Sequence, residues 1–240
     1  MKYVIVTGAT RGLGLEIARK LSDDGYVVIA SGRKLTEELE SLCNESGKQV
    51  IFQPLDMKET GNIHGFVTSL GSRFGRPWGL VNNAALGSDG LLATQHERDI
   101  ALLIRVNLEA PILMTKYVSR AMFLERGGRI INISSIIATT GFNGLSVYAA
   151  TKAALVGFTR SLAREVGKAG ITVNAIAPGY METDMTSGLQ GERLAAIKRR
   201  SALGKLANPM DVAHAVSFLM SEHAAAITGM TLTVDAGSTA

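Results

Sequence analysis

Short apolar runs alternate with longer amphipathic stretches, and the alternation continues from the first residues to the last. Val4–Val6, Val27–Ala30, Gln49–Gln53, Gly79–Asn82, Arg129–Ile133, Thr172–Ile176 and Thr231–Val234 are rich in Val and Ile and show little polar alternation. Strands covered on both faces have this pattern, because neither face meets water. Helical periodicity fills the intervals at about 12–24, 35–45, 59–74, 97–124, 147–168 and 209–221. The alternation predicts an α/β fold: a Rossmann-type, doubly wound, seven-stranded parallel sheet with helices on both faces. Residues 179–208 break the rhythm, with only a short helical pattern around Glu192–Arg199. A connection of this length is a substrate lid, at about 182–207, or a disordered loop. No repeat, linker or low-complexity segment interrupts residues 1–240, which predicts a single domain.

Composition narrows the class. The 240 residues suffice to bury a sizeable core, and 46% apolar against 19% charged residues argues against disorder. The net charge of +4 is a weak basic bias. Its one cluster, Lys198-Arg199-Arg200, reads as a solvated helix face or as a contact for an acidic ligand or carrier. Neither nucleic-acid binding nor membrane insertion is expected, since no apolar run approaches a membrane span. The chain reaches Gly8 after four apolar residues, too few for a signal-peptide core. The sole cysteine, Cys43, rules out an internal disulfide and suits a reducing compartment, so a cytoplasmic protein is expected. It stands mid-helix in Leu39–Glu45 with no nearby histidine, which argues against thiol catalysis. His64, His96, His214 and His223 lack ligand spacing with carboxylates or cysteines, and no metal is expected.

The first predicted strand runs straight into Thr7-Gly8-Ala9-Thr10-Arg11-Gly12-Leu13-Gly14 and then a helix. Glycines there permit a tight turn and a close approach of a pyrophosphate to backbone N–H groups at a helix N-terminus. The spacing is G-x-x-x-G-x-G, and in isolation it also fits an ordinary glycine-rich turn. The second strand ends Ala30-Ser31-Gly32-Arg33-Lys34. No carboxylate is present to hold a ribose 2′-OH, whereas Arg33 and Arg11 suit a 2′-phosphate. The expected cofactor is therefore NADP(H), the alternative being two solvated arginines.

With these motifs stand Leu55-Asp56-Met57, Asn82-Asn83-Ala84-Ala85, Ser135 with Tyr148-x-x-x-Lys152, and Pro178-Gly179. Together, in this order and over nearly the whole length, they resemble the short-chain dehydrogenase/reductase family in its compact form. The resemblance implies catalysis by Asn107, Ser135, Tyr148 and Lys152. A free tyrosine is a poor acid-base group near neutrality, and an ammonium one helical turn away, at Lys152, is expected to lower its pKa. The family lysine also holds the nicotinamide ribose. Ser135, selected over Ser134 by the family spacing, is expected to hydrogen-bond the substrate oxygen. Asn107 matches the asparagine that organises a proton-relay water, although its side chain could instead bridge backbone groups. Tyr148 and Lys152 could likewise be a surface pair. The resemblance further assigns Asp56 and the Met57 backbone to the adenine, Asn83 and Ala84 to the cofactor cleft, and Met181 after Pro178-Gly179-Tyr180 to the carboxamide. Gly8, Thr10, Arg11, Gly12, Leu13, Gly14 and Arg33 complete the expected cofactor site. Ala85 departs from the family's usual glycine and leaves that turn in question.

Within the family, Tyr148–Phe158, Ser161–Val166 and Gly170–Met185 most resemble bacterial 3-oxoacyl-acyl-carrier-protein reductases. That implies reduction of a 3-oxoacyl thioester. Other secondary alcohols or ketones (sugar, steroid or xenobiotic) and a non-enzymatic dinucleotide-binding role are the alternatives. Substrate contacts are expected in the loops 86–96, 136–146 and 182–207. Arg126 matches the first of two arginines that such reductases present to acyl carrier protein. The second position is Ala169, beside Lys168. The helices at about 97–124 and 147–168 are apolar over more of their circumference than one sheet face covers, which predicts a second partner or burial under neighbouring loops; the resemblance implies that the two helices pair across a two-fold axis into a homodimer or homotetramer.

Overall fold

The structure is a computed structural model, and it describes residues 2–87, 90–181 and 192–240. Residues 182–191 of the expected lid, and Ser88 and Asp89 of the loop 86–96, lie outside the described residues. Strands β1 (Tyr3–Thr7), β2 (Val27–Gly32), β3 (Val50–Pro54), β4 (Gly79–Asn82), β5 (Gly128–Ile133), β6 (Ile171–Pro178) and β7 (Thr231–Val234) form one parallel sheet. Their order is β3-β2-β1-β4-β5-β6-β7. The chain winds outward from β1 to β3 and returns to start the other half at β4. The crevice at the carboxyl ends of β1 and β4 is therefore the switch point at which such sheets bind ligands.

Helices α1 (Gly12–Asp23), α2 (Glu37–Glu45), α3 (Ile63–Phe74), α4 (Glu97–Ile104), α5 (Ala110–Glu125), α6 (Ile137–Thr140), α7 (Ser146–Val166), α8 (Glu192–Arg200) and α9 (Pro209–Met220) follow in chain order. Alternate strand residues feed two cores. Val4, Val6, Val28 and Ala30 pack with Ile17 and Leu21 of α1 and with Val212 and Val216 of α9. Tyr3, Ile5 and Ile29 pack with Leu70 of α3, Met114 of α5 and Leu162 of α7. Both faces of the sheet are thus covered, which explains the unbroken apolar strands.

One expected element divides. The helix at about 97–124 is α4, a π-helical turn at Arg105–Glu109, and α5. Pro111 supplies a reason, since it has no N–H to offer the carbonyl of Asn107 four residues back and its ring crowds that carbonyl. Widening the helix by one residue avoids the clash. The expected helix at about 35–45 begins at Glu37, where the Thr36 side chain accepts a bond from the Leu39 N–H.

Candidate active site

The carboxyl ends of β1 and β4 are welded by one hydroxyl. Thr7 Oγ1 accepts the backbone N–H groups of Asn83 and Ala84, both at 3.0 Å, and donates to the Val81 carbonyl at 3.3 Å. Asn83 Nδ2 returns bonds to the carbonyls of Thr7 (2.9 Å) and Gly8 (3.1 Å). The turn therefore lies so close to β4 that a Cβ on Gly8 would stand 2.8 Å from Ala84 Cα. A Cβ on Gly14 would stand 2.1 Å from the Gly8 carbonyl oxygen, so only glycine fits there. Gly12 opens α1, and Arg11 at its N-cap makes no side-chain capping bond. The first turn has no acidic residue, which leaves a favourable setting for an anion. Leu13 is partly buried against the core.

The outer cofactor positions follow the next strand ends. Gly32 ends β2 with no room for a Cβ, which would meet the Thr10 methyl at 2.4 Å. Thr36 Oγ1 donates to the Thr10 carbonyl at 2.5 Å. Arg11 and Arg33 are both exposed at this rim. Asp56, after β3, accepts the Lys58 N–H at 3.0 Å, and Met57 beside it is buried. Ala85 is not among the residues with positive φ, so its methyl meets no backbone penalty and the turn forms without glycine.

Ser134 and Ser135 follow β5 and have separate tasks. Ser134 is buried and donates to the Lys152 carbonyl at 2.9 Å, tying the strand end to α7. Ser135 lies beside Tyr148, near enough to favour its phenolate, and accepts the Ile137 N–H at 3.3 Å. Tyr148 and Lys152 stand one turn apart on α7, so they are not a surface pair: Lys152 is 3% exposed. Its Nζ donates to the Ile133 carbonyl at 2.8 Å and lies 5.6 Å from the Tyr148 ring centroid. Burial pushes the lysine down to about 8.

Tyr148 departs from expectation. Burial raises its pKa above the ordinary value, the neighbouring Ser135 hydroxyl opposes the rise, and the nearby Tyr180 adds to it. The ammonium does not reverse that rise. Lys152 donates to Ile133 instead of to the phenol oxygen, and dehydration acts on the two groups separately.

Asn107 lies in the π-helical turn and is fully buried. Its Oδ1 accepts the Leu86 N–H at 2.7 Å, and its Nδ2 donates to the Leu86 carbonyl at 2.8 Å and to Thr151 Oγ1 at 3.4 Å. The backbone-bridging alternative thus describes its side chain. Thr151 in turn donates to the Tyr148 carbonyl at 2.7 Å. After β6, Pro178 accepts the Ile136 N–H (3.0 Å), Gly179 donates to Val234 (2.9 Å), and Met181 bridges Ala207 in parallel.

Every expected catalytic and cofactor residue thus gathers at the carboxyl edge of the sheet. Arg126 does not. It caps α5 in a left-handed conformation just before β5, at the opposite edge. Six strand residues separate it from Ser134, roughly 20 Å at about 3.3 Å per residue. Its carbonyl would lie 2.9 Å from a Cβ on Gly170, which brings the turn carrying Lys168 and Ala169 beside it. Sequence reasoning missed Thr7 and Thr151. A polar residue ending an apolar strand was a signal for the first, and none marked the second.

The comparisons agree with this geometry. A family model described as enoyl-(acyl carrier protein) reductase matches residues 8–239. The chain is 40% identical, over 238 residues, to the 3-oxoacyl-(acyl-carrier-protein) reductase FabG of Escherichia coli K12, covering 98% of this chain and 96% of that one. The reductase of the same name from Vibrio cholerae is 39% identical over the same shares. Among solved structures it is similar to a double mutant of a Serratia marcescens short-chain dehydrogenase/reductase, with a TM-score of 0.93 and 30% identity, covering 100% of this chain and 98% of that one. Matched along nearly its whole length in sequence and in fold, the chain belongs to the short-chain dehydrogenase/reductase family and is an oxidoreductase.

Proposed function

We propose that the protein is an NADP(H)-dependent carbonyl reductase that acts on a 3-oxoacyl thioester, with Tyr148 as general acid. The observation that carries this reading is the gathering of Ser135, Tyr148 and the buried Lys152 at the sheet edge that also holds the glycine turn. When bound, the cofactor supplies the hydride to the carbonyl carbon. Burial keeps the Tyr148 phenol protonated at neutral pH, so it has a proton to give to the carbonyl oxygen. Ser135 donates to the same oxygen as charge develops there. Lys152, with a pKa of about 8, is mostly charged at neutral pH and offsets the phenolate left behind. Asn107 holds Leu86 and, through Thr151, the backbone of Tyr148.

The turn fits a pyrophosphate, because the first turn of α1 has neither a side-chain cap nor an acidic residue. Asn83 and Ala84 would flank it, Asp56 and Met57 would hold the adenine, and Pro178, Gly179 and Met181 would hold the nicotinamide. Exposed Arg11 and Arg33, with no carboxylate in the Arg33–Thr36 stretch that follows β2, favour NADPH over NADH. The relatives' names supply the substrate class. Two helix faces support pairing of chains: Ile104 on α4 is 44% exposed, and Phe158 on α7 is only partly buried. Acyl carrier protein is the proposed partner near Arg126, with Ala169 in place of the second arginine that such reductases present.

NADPH consumption with acetoacetyl thioesters, against simple ketones and sugar alcohols, tests the reading. Turnover of the thioester with a clear NADPH preference, weakened in Arg33→Ala, is the expected result. No thioester turnover, or equal use of both cofactors, overturns it.

A further inference from the structure

A polar ladder crosses the apolar core below the reaction centre. Asn82 of β4 and Asn132 of β5 are partners in the sheet register. Asn82 Nδ2 donates to Asn132 Oδ1 at 2.8 Å and to Thr115 Oγ1 of α5 at 2.9 Å. Asn132 Nδ2 donates in turn to Thr159 Oγ1 of α7 at 2.8 Å. All four side chains are buried, Asn132 and Thr159 completely. Leu80 and Ile130, one step earlier on the same strand faces, pack in the apolar core with Met114 and Leu162. Stability alone favours an apolar filling here too. Asn82 Oδ1 has no hydrogen-bond partner among the described residues, and a partly satisfied buried network is less stabilising than apolar groups of similar volume. What such a network supplies is direction. Apolar packing is non-directional and lets a helix slide, whereas a buried hydrogen bond holds it at one register.

We propose that Asn132 and Thr159 are positioning residues: their bond, backed by Asn82 and Thr115, fixes where α7 sits along β5 and thereby where Tyr148 stands against Ser135. The proposal rests on the reading of Tyr148 as general acid and adds what aims it. Thr159 follows Lys152 by about two helical turns, so both project from the face of α7 that meets β5. Asn132 precedes Ile133, whose carbonyl accepts from the Lys152 ammonium, and Ser134, whose hydroxyl donates to the Lys152 carbonyl. Strand β5 therefore holds α7 at two heights. The upper contacts involve the lysine that the chemistry uses. The lower contact is the Asn132–Thr159 bond, which takes no part in the chemistry and is held from behind by a second strand and a second helix. With the upper contacts alone, α7 is free to pivot about Lys152 and to carry Tyr148, one turn nearer its N-terminus, away from Ser135. A misplacement of about 1 Å can cost a reaction about 10²-fold.

The test compares Thr159→Val, the double substitution Asn132→Leu with Thr159→Val, and Thr159→Ser. The first keeps the shape of Thr159 and removes its hydroxyl, the second makes both ends of the bond apolar, and the third keeps the hydroxyl. In the first two, kcat with an acetoacetyl thioester should fall about tenfold to a hundredfold per folded molecule, while KM and NADPH affinity stay within about twofold. Thr159→Ser should recover most of the loss. The double variant should melt no lower than Thr159→Val, because it strands no Asn132 amide, so lost activity is separated from lost stability. A second readout needs no substrate. The phenolate absorbance of Tyr148, taken as each protein minus its Tyr148→Phe counterpart, should develop at lower pH in the first two variants, because a loosened α7 admits water to the phenol. A kcat within about twofold of the parent's in the double variant, or a Thr159→Ser enzyme as impaired as Thr159→Val, overturns the proposal. If Tyr148→Phe alone keeps full turnover, or no thioester turns over, the reading of the reaction fails, and the phenolate titration decides the ladder: an unchanged titration overturns it.

Discussion

The two edges of the sheet each bury one cation, and they treat it differently. At the carboxyl edge Lys152 is 3% exposed and has one hydrogen-bond acceptor, the Ile133 carbonyl. At the amino edge Arg129 is also 3% exposed. Its guanidinium stacks over Trp78 at 4.9 Å and donates to Gly128 (3.0 Å), to Ser221 (3.4 Å) and to Glu222 (3.4 Å). Lys2 covers Trp78 at 3.6 Å and also binds Glu222. Burial lowers both cations' pKa values, and at Arg129 the Glu222 carboxylate opposes the fall. The lesson is one of compensation. A buried charge wrapped in partners steadies the fold, whereas one left under-compensated is a reservoir for chemistry.

The largest effect expected is at the tyrosine served by the under-compensated cation. Tyr148→Phe should lower kcat by about 10²- to 10⁴-fold, the usual contribution of a general acid, while NADPH binding measured by fluorescence persists. Near-normal turnover would show that another acid does the work.

Exchanging the cations for apolar groups sharpens the contrast in sign. Lys152→Met should raise stability at neutral pH. The fall from 10.5 to about 8 represents about 3 kcal/mol of charge-burial penalty as an upper bound, reduced by the lost bond to Ile133. The folded pKa lies below the unfolded one, so the penalty is full below about 8 and lifts as pH rises towards 10.5. The variant's advantage in urea melts should shrink over that window. Arg129→Ala should instead cost about 2 kcal/mol, by removing the stack on Trp78 and three polar contacts, while turnover per folded molecule is kept. A destabilised Lys152→Met at neutral pH would break the comparison.

Smaller effects test the clamps. Asn107→Ala strands the Leu86 N–H and carbonyl, which should cost about 1–3 kcal/mol in denaturant melts. Ala85→Gly should restore nothing, because Ala85 needs no left-handed backbone. A loss of about 0.5–1 kcal/mol is expected from added freedom of the unfolded chain. A gain in stability or turnover there would mean that the methyl strains the turn.

Local periodicity made the sheet legible. Seven apolar strands, their helices, the glycine turn, and the four-residue spacing that puts Tyr148 and Lys152 on one face of α7 all follow from neighbours along the chain. What depends on groups far apart in sequence was decided by tertiary structure. Pro111 was visible, yet the π-helical turn it accompanies interrupts a pattern that reads as one helix. The partners of Asn107 at Leu86 and Thr151 are 21 and 44 residues away. Ser134 and Ser135 are neighbours of like chemistry, and only the packing of α7 on β5 ties one to the Lys152 backbone and leaves the other beside the tyrosine. The direction of the Tyr148 shift was misread for the same reason. Sequence spacing brings an ammonium near a phenol, but dehydration and the acceptor that the ammonium chooses are set by three-dimensional packing.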